Sequence, residues 1–328
     1  MSLGIPDLDP ALESKLAADM ARVESLLRSH IEGDYPLVIE TSRHLVQAGG
    51  KRLRPLLTLL GAQFGDPTAD GIIEAAVVCE LTHLATLYHD DVMDEAPLRR
   101  GVESANNRWG NTVAILTGDY LFAKASQLLA DLGPEAVRLQ ATTFERLVIG
   151  QITETQGSSE GLSMLDHYLR VVADKTGSLI ATSIRFGAIF GGVDRETIER
   201  LAAYGEIIGT VFQLADDVID IASETDESGK TPGTDLREGV PTLVTLQIIG
   251  SDDPKDAQLR AILSAPITDE AVVASTLAAL RVHPALDNAR KILLQYADRA
   301  RAEIAPLPAG RAKDALTNLC DAIITRTA

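Results

Sequence analysis

The sequence predicts an all-α fold, one large helical bundle, and three observations predict it. Apolar residues recur at three- and four-residue spacing through most of the 328 residues, the period of helices that bury one face. Alternating, β-branched runs of the kind that mark strands are scarce. Glycine and proline fall in clusters between the periodic stretches, where turns belong. At 45% hydrophobic and 23% charged, the composition is that of a folded protein with a large core. No Pro-, Gly- or Ser-rich linker interrupts the chain, so residues 1–328 read as one domain.

Taken in order, the first two helices are expected over 10–30 and 36–48, the second stopped by Gly49-Gly50. A third over 54–64 ends at Gly65-Asp66-Pro67, and a long fourth covers 70–94. Helices over 111–131 and 134–157 are separated by Gly133-Pro134. Those over 163–173 and 176–190 precede Gly191-Gly192, and one over 194–222 precedes the segment Gly229 to Gly233. The remainder is expected at 240–250, 256–264, 269–281, 284–305 and 310–326. There is no short-period repeat of the solenoid kind.

Charge and cysteine usage exclude several function classes. A formal net charge of −17 opposes general nucleic-acid binding, which needs a basic face to neutralise phosphates. Any anionic ligand therefore requires a local basic or metal-containing pocket. Cys79 and Cys320 are the two cysteines and form no CxxC spacing, so neither a disulfide framework nor a thiolate metal site is indicated and a reducing cytoplasm fits. MSLGIPDLDPALESK lacks a basic and apolar leader, and no apolar run reaches the length of a membrane span.

Chemistry enters with two matching acidic clusters. Asp90-Asp91-x-x-Asp94 follows CELTHLATLYH, and Asp216-Asp217-x-x-Asp220 follows GEIIGTVFQLA. On a helix, residues three and four apart share a face, so the outer aspartates of each cluster project together near a helix end. Like charges at that spacing repel, and a cation relieves them. Magnesium suits the task, being a hard ion that takes oxygen ligands and commonly joins carboxylates to substrate phosphates. Neither cluster has the alternating ligands and terminal glutamate of a calcium-binding EF-hand. One such cluster alone would more often be a solvated helix end; its repetition beside basic motifs favours a site.

The basic groups are GGKRLRP at 49–55, Arg99-Arg100-Gly101, and the stretch beginning at Lys230. A glycine turn with three cations before a helix offers backbone N–H groups and a favourable dipole to an anion. Arginine adds a planar fork for phosphate oxygens, and lysine a compact charge.

With these residues in view, the sequence closely resembles the trans-isoprenyl diphosphate synthases, or polyprenyl synthetases. The resemblance rests on GGKRLRP at 49–55, LTHLATLYHDDVMDEAPLRRG at 81–101, DKTGSL at 174–179, FQLADDVID at 212–220 and GKTPGTDLREG at 229–239. It implies the isoprenoid synthase fold with a central substrate cavity, and a homodimer. It further implies that Asp90, Asp91 and Asp94, facing Asp216, Asp217 and Asp220, hold magnesium ions on the diphosphate of an allylic substrate. Arg99, Lys175 and Lys230 would bind that diphosphate, with Thr176 and Gln213 near the cleaving C–O bond. Lys51, Arg54, His83 and Arg100 would hold the diphosphate of isopentenyl diphosphate. One departure stands out: Val240 occupies a position where the family often has lysine.

The implied reaction is successive head-to-tail trans addition of isopentenyl diphosphate to an allylic prenyl diphosphate. A growing chain would run between helices from Asp90 past Ala85 and Thr86, then Leu81 and Thr82, then Val77 and Val78. Family members that stop at short products carry bulky aromatics at the positions of Ala85 and Thr86. Ala85 leaves the path open, so a medium- to long-chain product is expected, unless Leu147 to Ile152 sets the floor instead. A shorter, geranylgeranyl-type product and a non-catalytic modulating subunit are the alternatives. A class I terpene cyclase is disfavoured by FQLADDVID, and a structural helical protein would bind no diphosphate. For the synthase, peripheral membrane contact for product release is compatible with the absence of a membrane span.

Overall fold

The computed structural model describes residues 3–32, 35–157, 161–223 and 232–326. Sixteen α-helices dominate these residues, and each predicted helix is present to within a few residues. Local chemistry explains several boundaries. In α1 (Pro10–His30), the Asp9 carboxylate accepts the N–H groups of Ala11 and Leu12, and Pro10 starts the first turn, satisfying amides that have no intrahelical partner. The same device recurs at Asp269 before α14 (Glu270–Arg281) and at Ser163 before α8 (Met164–Val172).

The chain forms two compact units, each assembled from separated segments. The first comprises 1–145, 179–205 and 307–318. Its centre is α4 (Ile72–Met93), buried on nearly every side from Ile72 to Tyr88, as a helix without a polar face must be. Helices α1, α3 (Leu53–Ala62) and α6 (Asn111–Leu132) pack around it. The Tyr88 hydroxyl donates to the Thr41 carbonyl and accepts the Leu45 N–H, tying α4 to α2 (Pro36–Gln47). Glycines bring α3 against α9 (Ser178–Phe190) at backbone distance: a Cβ on Gly61 would lie 2.2 Å from the Ile184 carbonyl oxygen, and one on Gly187 1.7 Å from that of Thr58.

The second unit comprises 146–178, 206–306 and 319–328. Here α12 (Leu243–Ile249) packs on α8 and on α15 (Pro284–Ile304). Between α8 and α9 the helix widens to a π turn over Ala173–Gly177, a form that concentrates at functional positions. It is held by Arg146, which donates to Asp174 at 2.8 Å and to both oxygens of Glu206 at 3.0 and 3.1 Å.

Three features were not foreseen: this π turn, the short helices α5 (Ala105–Trp109) and α11 (Thr234–Glu238), and a minimal hairpin. The hairpin pairs β1 (Leu98–Arg99) with β2 (Val102–Glu103) in antiparallel register. Arg100 and Gly101 form its two-residue turn, both at positive φ (55° and 77°), as a type I′ connection requires. Among the described residues no helix is long and apolar enough to cross a membrane.

Candidate active site

The first acidic cluster closes α4. Asp90 and Asp91 lie in its last turn, and Asp94 is its C-cap, with its N–H on the Asp90 carbonyl. Asp91 is fully buried and pairs through Oδ1 with Arg99 Nε at 2.5 Å. Its Oδ2 is buried with no protein partner. Burial raises the Asp91 carboxyl above its ordinary value, and the Arg99 charge opposes that rise.

The hairpin sends neighbouring arginines to different places, because Arg99 ends β1 while Arg100 takes the left-handed first position of the turn. Arg99 turns to Asp91. Arg100 donates to the carbonyls of Leu45 and Gly49, at the end of α2. Its guanidinium lies against Gly50, where a Cβ would come 2.8 Å from Cζ. Lys51 is exposed and begins the basic segment that leads into α3. Arg54, in the first turn of α3, has a buried Nε without a hydrogen-bond partner, and burial pushes its guanidinium down to about 10, still charged at neutral pH.

His83 faces this cationic group from α4. Burial and then the charges of Arg54, Arg100, Arg52 and Arg99 hold it well below its ordinary value, so it is neutral at pH 7. Its expected place in the basic pocket is therefore that of a neutral hydrogen-bonding ring. A stability consequence follows with a definite sign. The unfolded chain protonates His83 near pH 6.5 and the folded chain does not, so stability falls as pH drops through about 6.5. Urea midpoints measured between pH 7.5 and 5.5 should decline less in His83→Gln than in the parent. Equal slopes would place that proton uptake elsewhere.

The second cluster lies near the end of α10 (Arg195–Ala222) in the second unit. Asp217 is 1% exposed, and both its oxygens are engaged by protein donors. Oδ1 accepts Gln213 Nε2 at 3.2 Å, while Oδ2 accepts the Tyr168 hydroxyl and the Leu243 N–H. Burial pushes its carboxyl up to about 6. Asp220 receives the N–H groups of Thr234 and Asp235. Asp216 meets Arg326 at 3.5 Å. Lys175 and Thr176 both sit in the π turn, with Lys175 on Glu154 at 2.7 Å. Lys230 lies outside the described residues. Val240 is 43% exposed.

Among the described residues no three His, Cys, Asp or Glu side chains converge on a metal position, and several of these carboxylates are turned to protein donors. The donor chemistry nevertheless fits a hard divalent cation. Each cluster is made only of carboxylates, and Asp91 Oδ2 is a buried anionic oxygen without a protein donor, an arrangement costly unless something answers it.

The expected chain-length positions are all on α4 and buried: Leu81, Thr82, Ala85 and Thr86. Thr82 accepts a hydrogen bond at 2.7 Å from Gln140 Nε2, and Thr86 donates to the His83 carbonyl. Sequence reasoning missed Gln140, Tyr168, Arg146 and the partners of Arg52. None lies in a charge cluster or glycine turn, the signals that located the others.

Comparison with known proteins agrees with the motifs. The polyprenyl synthetase family model matches residues 35–280. The chain is 50% identical to a nonaprenyl diphosphate synthase of Mycobacterium tuberculosis over 319 residues, covering 97% of this chain and 95% of the relative. Among solved structures, a geranylgeranyl pyrophosphate synthase from Corynebacterium glutamicum, complexed with calcium and isoprenyl diphosphate, superposes with a TM-score of 0.88 at 43% identity, over 97% of this chain and 98% of that one. A decaprenyl diphosphate synthase from Rhodobacter capsulatus gives a TM-score of 0.88 at 32% identity, over 97% and 99%. The motifs, the helical architecture and these similarities agree, and the chain belongs to the polyprenyl synthetase family.

Proposed function

We propose that this prenyltransferase condenses isopentenyl diphosphate with an allylic prenyl diphosphate in successive head-to-tail trans additions, releasing a medium- to long-chain polyprenyl diphosphate. The support in the geometry is the C-terminal half of α4, which brings the carboxylates of Asp90, Asp91 and Asp94 and the cationic surroundings of His83 into one unit. Carboxylates suited to a metal stand there with guanidiniums suited to a diphosphate.

Asp90, Asp91 and Asp94 in one cluster, and Asp216, Asp217 and Asp220 in the other, would hold magnesium, Asp217 being the member tied to Tyr168, Gln213 and Leu243. The calcium and isoprenyl diphosphate of the Corynebacterium glutamicum structure support a divalent cation with this ligand class. When bound, magnesium supplies positive charge to a diphosphate leaving group. Arg99, Lys175 and Lys230 bind the allylic diphosphate and stabilise the charge that develops on it. Thr176 and Gln213 stand near the C–O bond that breaks.

As that bond breaks, the diphosphate leaves with the electron pair and an allylic cation remains. The double bond of isopentenyl diphosphate attacks the cation, a C–C bond forms, and a proton is lost to the departed diphosphate. No protein nucleophile is required. Lys51, Arg54, Arg100 and neutral His83 fix the diphosphate of isopentenyl diphosphate so that its double bond is presented to the cation.

Ala85 and Thr86, with Leu81 and Thr82 one turn further back, would line the path of the growing chain. No bulky aromatic closes it at those positions, and the names of the nonaprenyl and decaprenyl relatives support a long product. Incubation with isopentenyl diphosphate and each allylic primer, followed by chromatography, tests activity, primer and length together. Absence of any magnesium-dependent product would overturn the reading. Ala85→Phe should shift the products to shorter chains, and an unchanged product length removes Ala85 from the tunnel wall.

Ile115 and Leu116 are exposed on α6, and Val148, Ile149 and Ile152 on α7 (Pro134–Gln156). Such exposed apolar side chains support a homodimer. One family match over 35–280 and one relative aligned over 97% of this chain support residues 1–328 acting as one functional domain. Two buried free thiols support a cytoplasmic location.

A further inference from the structure

Arg52 stands inside GGKRLRP but carries no assigned role. It is the N-cap of α3, with φ 49° and ψ 35°, a left-handed conformation that crowds Cβ against the backbone and that residues other than glycine seldom adopt. Something must hold it there. Its side chain is 2% exposed and makes four hydrogen bonds. Nε donates to Glu24 at 2.5 Å, Nη1 to Glu80 at 2.8 Å and to the Gly49 carbonyl at 3.2 Å, and Nη2 to the Val46 carbonyl at 3.0 Å. Burial pulls the guanidinium pKa down, but the two carboxylates more than compensate, and the net direction is upward.

These bonds have two effects. The charge of Arg52 is answered by Glu24 and Glu80, so its guanidinium is committed to the protein and is not a ligand for a diphosphate. The same guanidinium caps the Val46 carbonyl in the last turn of α2 and fixes the Gly49 carbonyl, which Arg100 also uses. Lys51 and Arg54 leave the chain on either side of the strained residue. Glu80, 1% exposed and with a second oxygen lacking a hydrogen-bond partner, is the anion on which this arrangement is anchored.

We infer that Arg52 is a positioning residue for the isopentenyl diphosphate half of the site: clamped by Glu24 and Glu80, it holds the left-handed turn that presents Lys51 and Arg54 and the carbonyl that orients Arg100. This inference rests on the function proposed above. A buried ion pair that served stability alone would behave differently, because its loss would not single out one substrate.

The test uses the full chain with magnesium, varying isopentenyl diphosphate and geranylgeranyl diphosphate separately, for Arg52→Lys, Arg52→Gln, Glu24→Gln and Lys51→Ala. Lysine keeps the charge but cannot reproduce the fork. Both Arg52 variants should raise KM for isopentenyl diphosphate roughly tenfold or more, as displacement of binding groups does. Their KM for the allylic substrate and kcat should stay within about threefold of the parent. Glu24→Gln, which leaves the Glu80 contact, should show a smaller rise of the same selectivity. Equilibrium dialysis of labelled isopentenyl diphosphate should weaken by the same factors. Parent-like KM in the folded variants, or changes in both KM values and kcat that track the melting temperature, would overturn the inference. If the Arg52 variants do not fold, Glu24→Gln decides, and an unchanged KM there overturns it. Lys51→Ala separates the two levels. If it leaves KM for isopentenyl diphosphate unchanged, the assignment of the basic motif fails; if it raises KM while Arg52→Gln and Glu24→Gln do not, only the positioning role fails.

Discussion

Asp90→Ala and Asp216→Ala are each expected to lower kcat by about a hundredfold to a thousandfold or more at saturating magnesium, the scale on which loss of one charge-stabilising group is felt. Neither residue is fully buried, so removing the carboxylate leaves no large cavity and melting temperatures should stay near the parent. Asp217→Ala provides the contrast. Its loss strands the Tyr168 hydroxyl and the Leu243 N–H inside the second unit, at about 1–3 kcal/mol for each unsatisfied group, so stability and rate should fall together. Steady-state rates beside thermal melts separate these outcomes. Near-parent turnover in Asp90→Ala or Asp216→Ala would remove the two-cluster reading.

Gly187→Ala should be the most damaging of the conservative substitutions. A Cβ there would lie 1.7 Å from the Thr58 carbonyl oxygen and 2.7 Å from its carbon. Both obstructing atoms are backbone, so no side chain can rotate away and α3 must separate from α9. Overpacking typically costs about 1–3 kcal/mol and more where nothing can yield; here about 3 kcal/mol or more is expected, seen as a large drop in urea midpoint or as loss of soluble protein. Gly250→Ala is the control, because its nearest neighbours are at 3.3 and 3.6 Å and its backbone is not left-handed. Equal stability of the two variants would show that the close approach is not rigid. Thr58 lies one turn after Arg54 on α3, so the glycine contact also determines where a proposed diphosphate ligand stands.

The helices were legible because each carries its own signals: period, caps and glycine stops act within a few residues of the bonds they control. The aspartate clusters were legible because like charges repeated at helical spacing are costly without a purpose. The hairpin was not, since strands of two residues are too short to show alternation. Nor was the π turn, because DKTGSL has the same composition whether its hydrogen bonds skip four residues or five. The clamp on Arg52 draws Glu24 from α1 and Glu80 from α4, and no local pattern announces a contact made across such separations. Asp217 shows the opposite limit: the motif located it, but only the fold revealed that its oxygens are already committed.

The type I′ turn at Arg100-Gly101 has a final consequence, for how the sequence can change over time. In the proposed reading, adjacent residues serve different substrates, Arg99 the allylic diphosphate and Arg100 the isopentenyl one. A two-residue turn with both residues left-handed has no slack, and one inserted residue would shift the pairing of β2 on β1 and reverse the faces that Val102 and Glu103 present. This segment is therefore closed to changes of length and narrow in the residues its two left-handed positions accept, and loop-length variation among relatives should accumulate on either side of it rather than within it.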